Sequence, residues 1–183
     1  LGGALDSVTA ARANILTFTP IDYDHMSILG NSLEEIAHQK AGAIQNKEQL
    51  LISCVQRKRV QQTLDSAAKQ KHNKILYLQP TFSNLKQFEI FQVEHQRHNA
   101  ILVEYIIRHI QNKYSLPCNN VIRYIQQTQW PGRIQHLHYK PSVIFDVAHN
   151  NHSIQGFINY FKTKRQKYNK SFLIIGFEQG KNI

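Results

Sequence analysis

The chain has 183 residues, of which 42% are hydrophobic and 19% charged, and its formal net charge is +10. That is enough chain for one sizeable domain, or for one domain and part of a second, and enough apolar content for a packed core, which excludes a disordered segment. No apolar run reaches the roughly 18 residues that a membrane-spanning helix needs, so no helical span is expected.

The opening stretch LGGALDSVTAARANILTF has no basic start followed by an apolar core, so it is not a secretory signal. It starts on Leu1 rather than Met, beside a Gly-Gly turn, and reads as cut from a longer parent. NILTFTPI (Asn14–Ile21) is a buried strand closed by Pro20. NSLEEIAHQKAG follows as a helix: Ser32 and Glu35 fit a capping box, Leu33, Ile36, Ala37 and Ala41 form its apolar stripe, and Gly42 stops it. LLISCV, ending at Val55, is the next strand, with Cys54 as a buried strand cysteine. RVQQTLDSAAKQK reads as an amphipathic helix and KILYLQ (Lys74–Gln79) as a strand. This alternation argues for βαβ units and a mostly parallel sheet. FEIFQV (Phe88–Val93) reads as a further strand, EHQRHNAILVEYIIRHIQNKY as a long helix and NNVIRYIQQT as a shorter one. QWPGR (Gln129–Arg133) is a Pro-Gly turn. IQHLHYKPSVIFDVAHNNHS gives two strands joined by a turn, the second ending at Asp146. A helix from about Asn151 to Lys164 and a strand SFLIIGF complete the pattern. The restart near residue 140 marks a second α/β domain that the chain does not complete.

Cys54 and Cys118 make neither a CxxC pair nor a disulfide framework, which fits a reducing cytoplasm. The positive charge suits nucleic acid, an anionic surface or a small polyanion such as a nucleotide. The basic residues are scattered, and KTKRQKYNK (Lys162–Lys170) reads as a solvated helix end, so nucleic acid and membrane are not expected partners. Asp24-His25 stands at a strand exit, where α/β sheets bind ligands. His25 there is a metal ligand, an acid/base or a solvent-facing loop residue. Lys40, in the last turn of its helix, either complements the helix dipole or acts on phosphate or metal. Arg133 follows a rigid turn and suits phosphate. Asp146 ends a strand, well placed for a ribose hydroxyl or a metal, with a helix start just beyond it. His136 and His138 alternate on a strand and face one side, but no four-ligand zinc set completes the pattern.

Read together, these stretches resemble the folate branch of the Mur ligase superfamily, the dihydrofolate synthases and folylpolyglutamate synthases. LGGALD is similar to that family's LGGRLD, and DHMSILGNSLEEIAHQKAGA to DHTxxLGxTLExIAxEKAGI. EHQRHNA resembles HQxxNA, WPGR matches WPGR, and FDVAHN resembles DGAHN, all in the family's order. The resemblance implies an α/β fold: residues 1–139 as part of a Mur-ligase-type central ATP-binding domain, and 140–183 as the beginning of a Rossmann-like C-terminal glutamate-ligase domain. It implies an ATP-dependent amide ligase of the EC 6.3.2 type in folate biosynthesis. Such an enzyme joins L-glutamate to dihydropteroate or a folate polyglutamate through an acyl phosphate, with ATP and Mg²⁺, as a cytoplasmic monomer. On that resemblance His25 is a Mg²⁺ ligand and Lys40 a carbamylated lysine supporting a second metal. Leu5, Asp6 and Ser7 contact the pterin, Asn99 the adenine and Arg133 the phosphates. Asp146 and His149 meet the nucleotide.

The sequence departs from the family in several places. The phosphate-binding GxxGKG[ST] loop is not in it, and the family's Mg²⁺-binding Glu would precede Leu1. Ala4 stands for Arg, Gln39 for Glu and Val147 for Gly, and GFEQGKNI matches the family's FGA…DKD stretch only loosely. The expectation is therefore an incomplete ligase. The alternatives are a catalytically dead remnant or binding module of the same fold, or a peptidoglycan-precursor Mur ligase. Peptidoglycan ligases follow DH with a further acid, whereas here Met26-Ser27-Ile28-Leu29-Gly30 follows.

Overall fold

The computed structural model describes residues 7–10 and 13–176. Its centre is a parallel sheet of β1 (Ile15–Phe18), β2 (Leu50–Cys54) and β3 (Ile75–Leu78), in that order. After a short N-terminal α1 (Ser7–Ala10), β1 leads through α2 (Met26–Leu29) and α3 (Leu33–Ala41) to β2, and α4 (Lys58–Gln70) leads on to β3. Alternate residues of a strand face opposite sides. Leu51 of β2 therefore joins Ile36 and Ala37 of α3 and Val60 and Leu64 of α4 in one core. Ile52 and Cys54 meet Leu102 of α6 (Glu94–Tyr114) on the other face. Helices thus cover both faces, as a parallel sheet requires. Burial pushes the Cys54 thiol up to about 12, so it is an inert core residue.

The capping box is present: Glu35 N–H donates to Ser32 Oγ at 3.2 Å, and Ser32 N–H donates to Glu35 Oε2 at 3.2 Å. Gly42 ends α3 with φ −56°, so the stop does not use glycine's left-handed freedom.

Two expected strands are absent from the described residues. Phe88–Val93 instead follows α5 (Phe82–Gln87), which the Thr81–Asn84 capping box starts. Phe88 caps that helix and is fully buried with Ala100 of α6 and Val121 and Ile125 of α7 (Val121–Gln127). A helix start signal outweighs the short apolar run, and helix packing satisfies that run without a ladder. Residues 171–176 pair with no strand among the described residues, and Ile174 is 95% exposed. A run of apolar residues forms a strand only where a ladder partner meets it.

The remainder is an antiparallel pair, β4 (Gln135–Tyr139) and β5 (Ser142–Phe145), followed by α8 (Asn151–Arg165). The expectation that His136 and His138 share a face is corrected by a bulge at Leu137. His136 pairs with Ile144 and His138 with Val143, adjacent residues that face opposite sides. Within the described residues, no group of three or more His, Cys, Asp or Glu side chains is placed to hold a metal by itself. No helix there is long and apolar enough to cross a membrane.

Candidate nucleotide site at the sheet edge

The loop leaving β1 carries Asp22, Asp24 and His25 to the carboxyl end of the sheet. There it meets the start of α8. Asn150 caps α8, its Oδ1 accepting from Ser153 N–H at 3.0 Å, and its Nδ2 donates to Asp24 Oδ2 at 3.1 Å. His149 Nε2 lies 3.4 Å from the same oxygen, and His25 Nε2 lies 3.8 Å from it. Asp22 Oδ2 lies 3.4 Å from His152 Nδ1 and 3.3 Å from Arg57. Half-exposed pairs of this kind contribute about 0–1 kcal/mol each. An apolar cluster of Val93, Ile134 and Tyr160, with Ile144 and Phe157 against them, packs α8 on the start of α6 and the β4–β5 pair.

His25 is the N-cap of α2 at φ 50°, a left-handed conformation uncommon outside glycine. Its N–H donates to Asp24 Oδ1 at 2.9 Å, which sets the local turn. Lys40 is partly buried in the last turn of α3. No hydrogen bond or ion pair links its ammonium to His25 among the described residues, so the two are not brought together by direct contact. Leu5 and Asp6 lie outside the described residues, and Ser7 is described by its backbone at the start of α1.

Asp146 is fixed on both oxygens: Ile134 N–H donates to one at 2.8 Å and Ala148 N–H to the other at 2.8 Å. Each carboxylate oxygen keeps a free lone pair for a hydroxyl. The turn before Arg133 is packed against the same strand end. Gly132 has φ 73°, and a Cβ there would stand 2.6 Å from Val147 Cγ1. Val147 N–H donates to the Gly132 carbonyl at 2.9 Å. The residue that departs from the family's DGAHN thus packs on the turn of WPGR.

Asn99 lies on α6, and its Oδ1 is buried with no hydrogen-bond partner among the described residues. His98 Nε2 is in the same condition, since Glu94 Oε1 at 3.7 Å is beyond hydrogen-bond reach. A buried amide oxygen left unmatched costs about 1–3 kcal/mol, so it points to a ligand donor. His95, one turn earlier, sits 5.8 Å from the His152 ring. Its pKa is lowered, first by burial, then by His152 and Arg133, against an upward pull from Asp146 and with a further push down from His98.

Sequence reasoning gave no role in this site to Asp22, to His152, or to His95 and Asn150, although the last two stand inside the quoted HQxxNA and DGAHN matches. The Asn150–Ser153 spacing was a readable cap, but the long-range pairs with Asp22 and Asp24 leave no local trace. Two open grooves of about 510 and 500 Å³ lie between α3 and α4, and neither is lined by Asp24, Asn99 or His149.

Parallel strands under helices, with carboxylates and imidazoles gathered where the β1 exit loop meets the start of α8, define an α/β unit with a candidate ligand site at the sheet's carboxyl edge. More particularly, the fold is that of the folylpolyglutamate synthases. The solved FPGS–AMPPCP complex matches with a TM-score of 0.74 at 17% identity, over 93% of this chain and 47% of that one. Folylpolyglutamate synthetase of Helicobacter pylori matches with a TM-score of 0.60 at 26% identity, over 89% of this chain and 40% of that one. In sequence, the chain is 28% identical to the dihydrofolate synthase/folylpolyglutamate synthase of Bacillus subtilis (strain 168), over 97% of this chain and 46% of that protein. It is 23% identical to a probable dihydrofolate synthetase of Schizosaccharomyces pombe, over 100% of this chain and 48% of that protein. The chain spans about half the length of the curated relatives it matches. No protein-family model matches it.

Proposed function

We propose that this chain forms part of an ATP-dependent ligase that joins L-glutamate to dihydropteroate or a folate polyglutamate. The observation that carries the reading is the buried, unpartnered Oδ1 of Asn99, an acceptor suited to the exocyclic amine of adenine. Supporting it are the similarity to dihydrofolate and folylpolyglutamate synthases and the solved neighbours that hold AMPPCP alone and AMPPCP with folate.

In this reading Asn99 selects adenine, Asp146 takes a ribose hydroxyl on its free lone pairs, and Arg133 and His149 meet the phosphates. His25 would be one ligand of Mg²⁺. Mg²⁺ usually takes one or two carboxylates beside phosphate oxygens and water, so the Asp24 carboxylate with the His25 imidazole beside it would be compatible with the ion, although not a complete set. Bound there, the ion would offset charge as anionic groups approach. The substrate carboxylate takes the γ-phosphoryl group of ATP to give an acyl phosphate and ADP. The glutamate amine then attacks the acyl carbon and releases phosphate. Lys40 would be carbamylated in this proposal: its amine adds CO₂ and releases a proton, which turns a cation into an anion that would offset the charge of the ion. Leu5, Asp6 and Ser7 contact the pterin. Residues 1–139 are part of the central domain and 140–183 begin the C-terminal one, with the β4–β5 hairpin crossing that boundary. The protein is placed in the cytoplasm, as a monomer.

Calorimetric titration of the chain with AMPPCP and with GMPPCP, in Mg²⁺, tests the reading. The expected result is preference for the adenine nucleotide and at least tenfold weaker binding in Asn99→Leu. Equal binding of both nucleotides, or an unaffected variant, removes the Asn99 assignment and with it the basis of the proposal.

A further inference from the structure

The loop that carries Asp22, Asp24 and His25 leaves β1 without regular structure to hold it. Its backbone is gripped by one side chain from the neighbouring strand. Gln56 lies just past β2 and is 8% exposed. Its Oε1 accepts from Ile21 N–H at 3.0 Å, and its Nε2 donates to the Thr19 carbonyl at 2.9 Å and to Ser53 Oγ at 3.1 Å. Pro20, between the two gripped residues, has no N–H to offer. A primary amide presents one donor and one acceptor in fixed relation, so it matches a carbonyl and an N–H two residues apart. Arg57, next in sequence, reaches Asp22 Oδ2 at 3.3 Å. The end of β2 thus holds the loop by its backbone and by its first carboxylate.

We propose that Gln56 is a positioning residue for the candidate site: it fixes the β1 exit loop so that Asp22 and Asp24 meet the start of α8 and His25 is presented at the sheet edge. What the loop serves rests on the ligase reading above; the grip itself does not. Gln56 acts through the loop and touches no substrate. The leverage is geometric. Chain spans at most about 3.3–3.6 Å per residue, so releasing the grip lengthens the span from hydrogen-bonded backbone to His25 from four residues past Ile21, about 14 Å at full extension, to seven past Phe18, about 25 Å. Neither partner of the grip is local, since Thr19 and Ile21 are more than thirty residues from Gln56.

The test uses the 183-residue chain and its Gln56→Met variant, followed by NMR with Mn²⁺ alone as the probe. Met fills similar volume but offers neither bond. Gln56→Asn is the second variant, for use if Met does not fold: it keeps the amide but is one methylene too short. In the wild type, Mn²⁺ is expected to broaden the His25 ring resonances, and the Ile21 amide to exchange slowly. In the variant, apparent Mn²⁺ affinity falls at least tenfold and Ile21 exchanges at least tenfold faster, while the Leu51 and Ile52 amides keep their protection. A variant with a wild-type Ile21 amide, Mn²⁺ response and Asp22–His152 nuclear Overhauser contact overturns the proposal. If Mn²⁺ leaves His25 unaffected in the wild type, the metal reading fails. The grip is then decided by Ile21 exchange and the Asp22–His152 contact, whose loss in the variant supports it and whose retention overturns it.

Discussion

At the residue scale, the molecule separates side chains that are saturated from those left waiting. Asp146 is anchored by two backbone N–H groups, whereas Asn99 Oδ1 is buried and unmatched. His95 offers a test through pH. Its folded pKa is lowered, chiefly by burial, so the unfolded chain binds a proton more readily. Stability is therefore present above the unfolded value of about 6.5 and is lost as pH falls from there through the lowered folded value. Denaturant midpoints measured from pH 7.5 to 5 should fall in the wild type, and less steeply in His95→Gln; parallel profiles would contradict the burial of a neutral imidazole. Gly132 and Gly156 make an opposed pair. At Gly132 an added Cβ meets Val147 at 2.6 Å with φ 73°, so Gly132→Ala should lower the melting temperature. At Gly156, inside α8, the nearest atoms are His95 Nδ1 and Val93 Cγ1 at 3.7 Å, an ordinary contact. Gly156→Ala should therefore stabilise by about 0.5–1 kcal/mol, read by chemical denaturation. For the candidate site, the sequence motifs singled out His25, Asn99, Arg133, Asp146 and His149 as a family pattern. They included His95 without giving it a role and did not reach His152; the two acquire a setting only when α6 and α8 pack.

At the element scale, the outcome turned on which local signals had competitors. α3 was readable because its cap, stripe and stop agree: Ser32, Glu35 and the buried Leu33, Ile36 and Ala37 all specify one helix. Ser32→Ala should cost about 0.5–2 kcal/mol in a denaturation series, because it removes one half of that box. An unchanged midpoint would mean that the helix is held by packing alone. The run Phe88–Val93 was misread because its apolar composition suits a strand, while the Thr81–Asn84 cap just ahead starts a helix and fixes Phe88 as its buried end. The bulge at Leu137 was invisible for a different reason. Strict alternation is the only register a sequence pattern offers, and one extra residue reverses a face.

At the scale of the whole molecule, the sheet's carboxyl edge is where distant segments converge. The β1 exit loop, the α6 start, the Pro131–Gly132 turn and the α8 start reach it from four parts of the chain. The apolar cluster of Val93, Ile134 and Tyr160 holds the last three together, while the β1 exit loop meets the α8 start through half-exposed His–Asp pairs and the Asn150–Asp24 hydrogen bond. Alternating strands and helices announced the parallel sheet, because each βαβ unit is local. The convergence was legible only through family resemblance, since no residue spacing encodes a contact between Asp24 and Asn150. Lys40 belongs to this scale too, as its proposed carbamate needs CO₂ and a nearby cation. NMR in ¹³C-bicarbonate should give a carbamate carbonyl signal that disappears in Lys40→Ala; a signal unchanged by that substitution, or none in the wild type with Mg²⁺ and AMPPCP present, would remove that role.

The most direct test of the nucleotide site is the position of the base itself. The chain, labelled so that the Asn99 side-chain amide is resolved, would be titrated with AMPPCP and Mg²⁺ and examined for nuclear Overhauser contacts to the adenine protons. The account predicts adenine contacts to Asn99, with shifts at His149 and Asp146 and none in the α3–α4 grooves. Adenine contacts elsewhere, with Asn99 unmoved at saturating nucleotide, would contradict it.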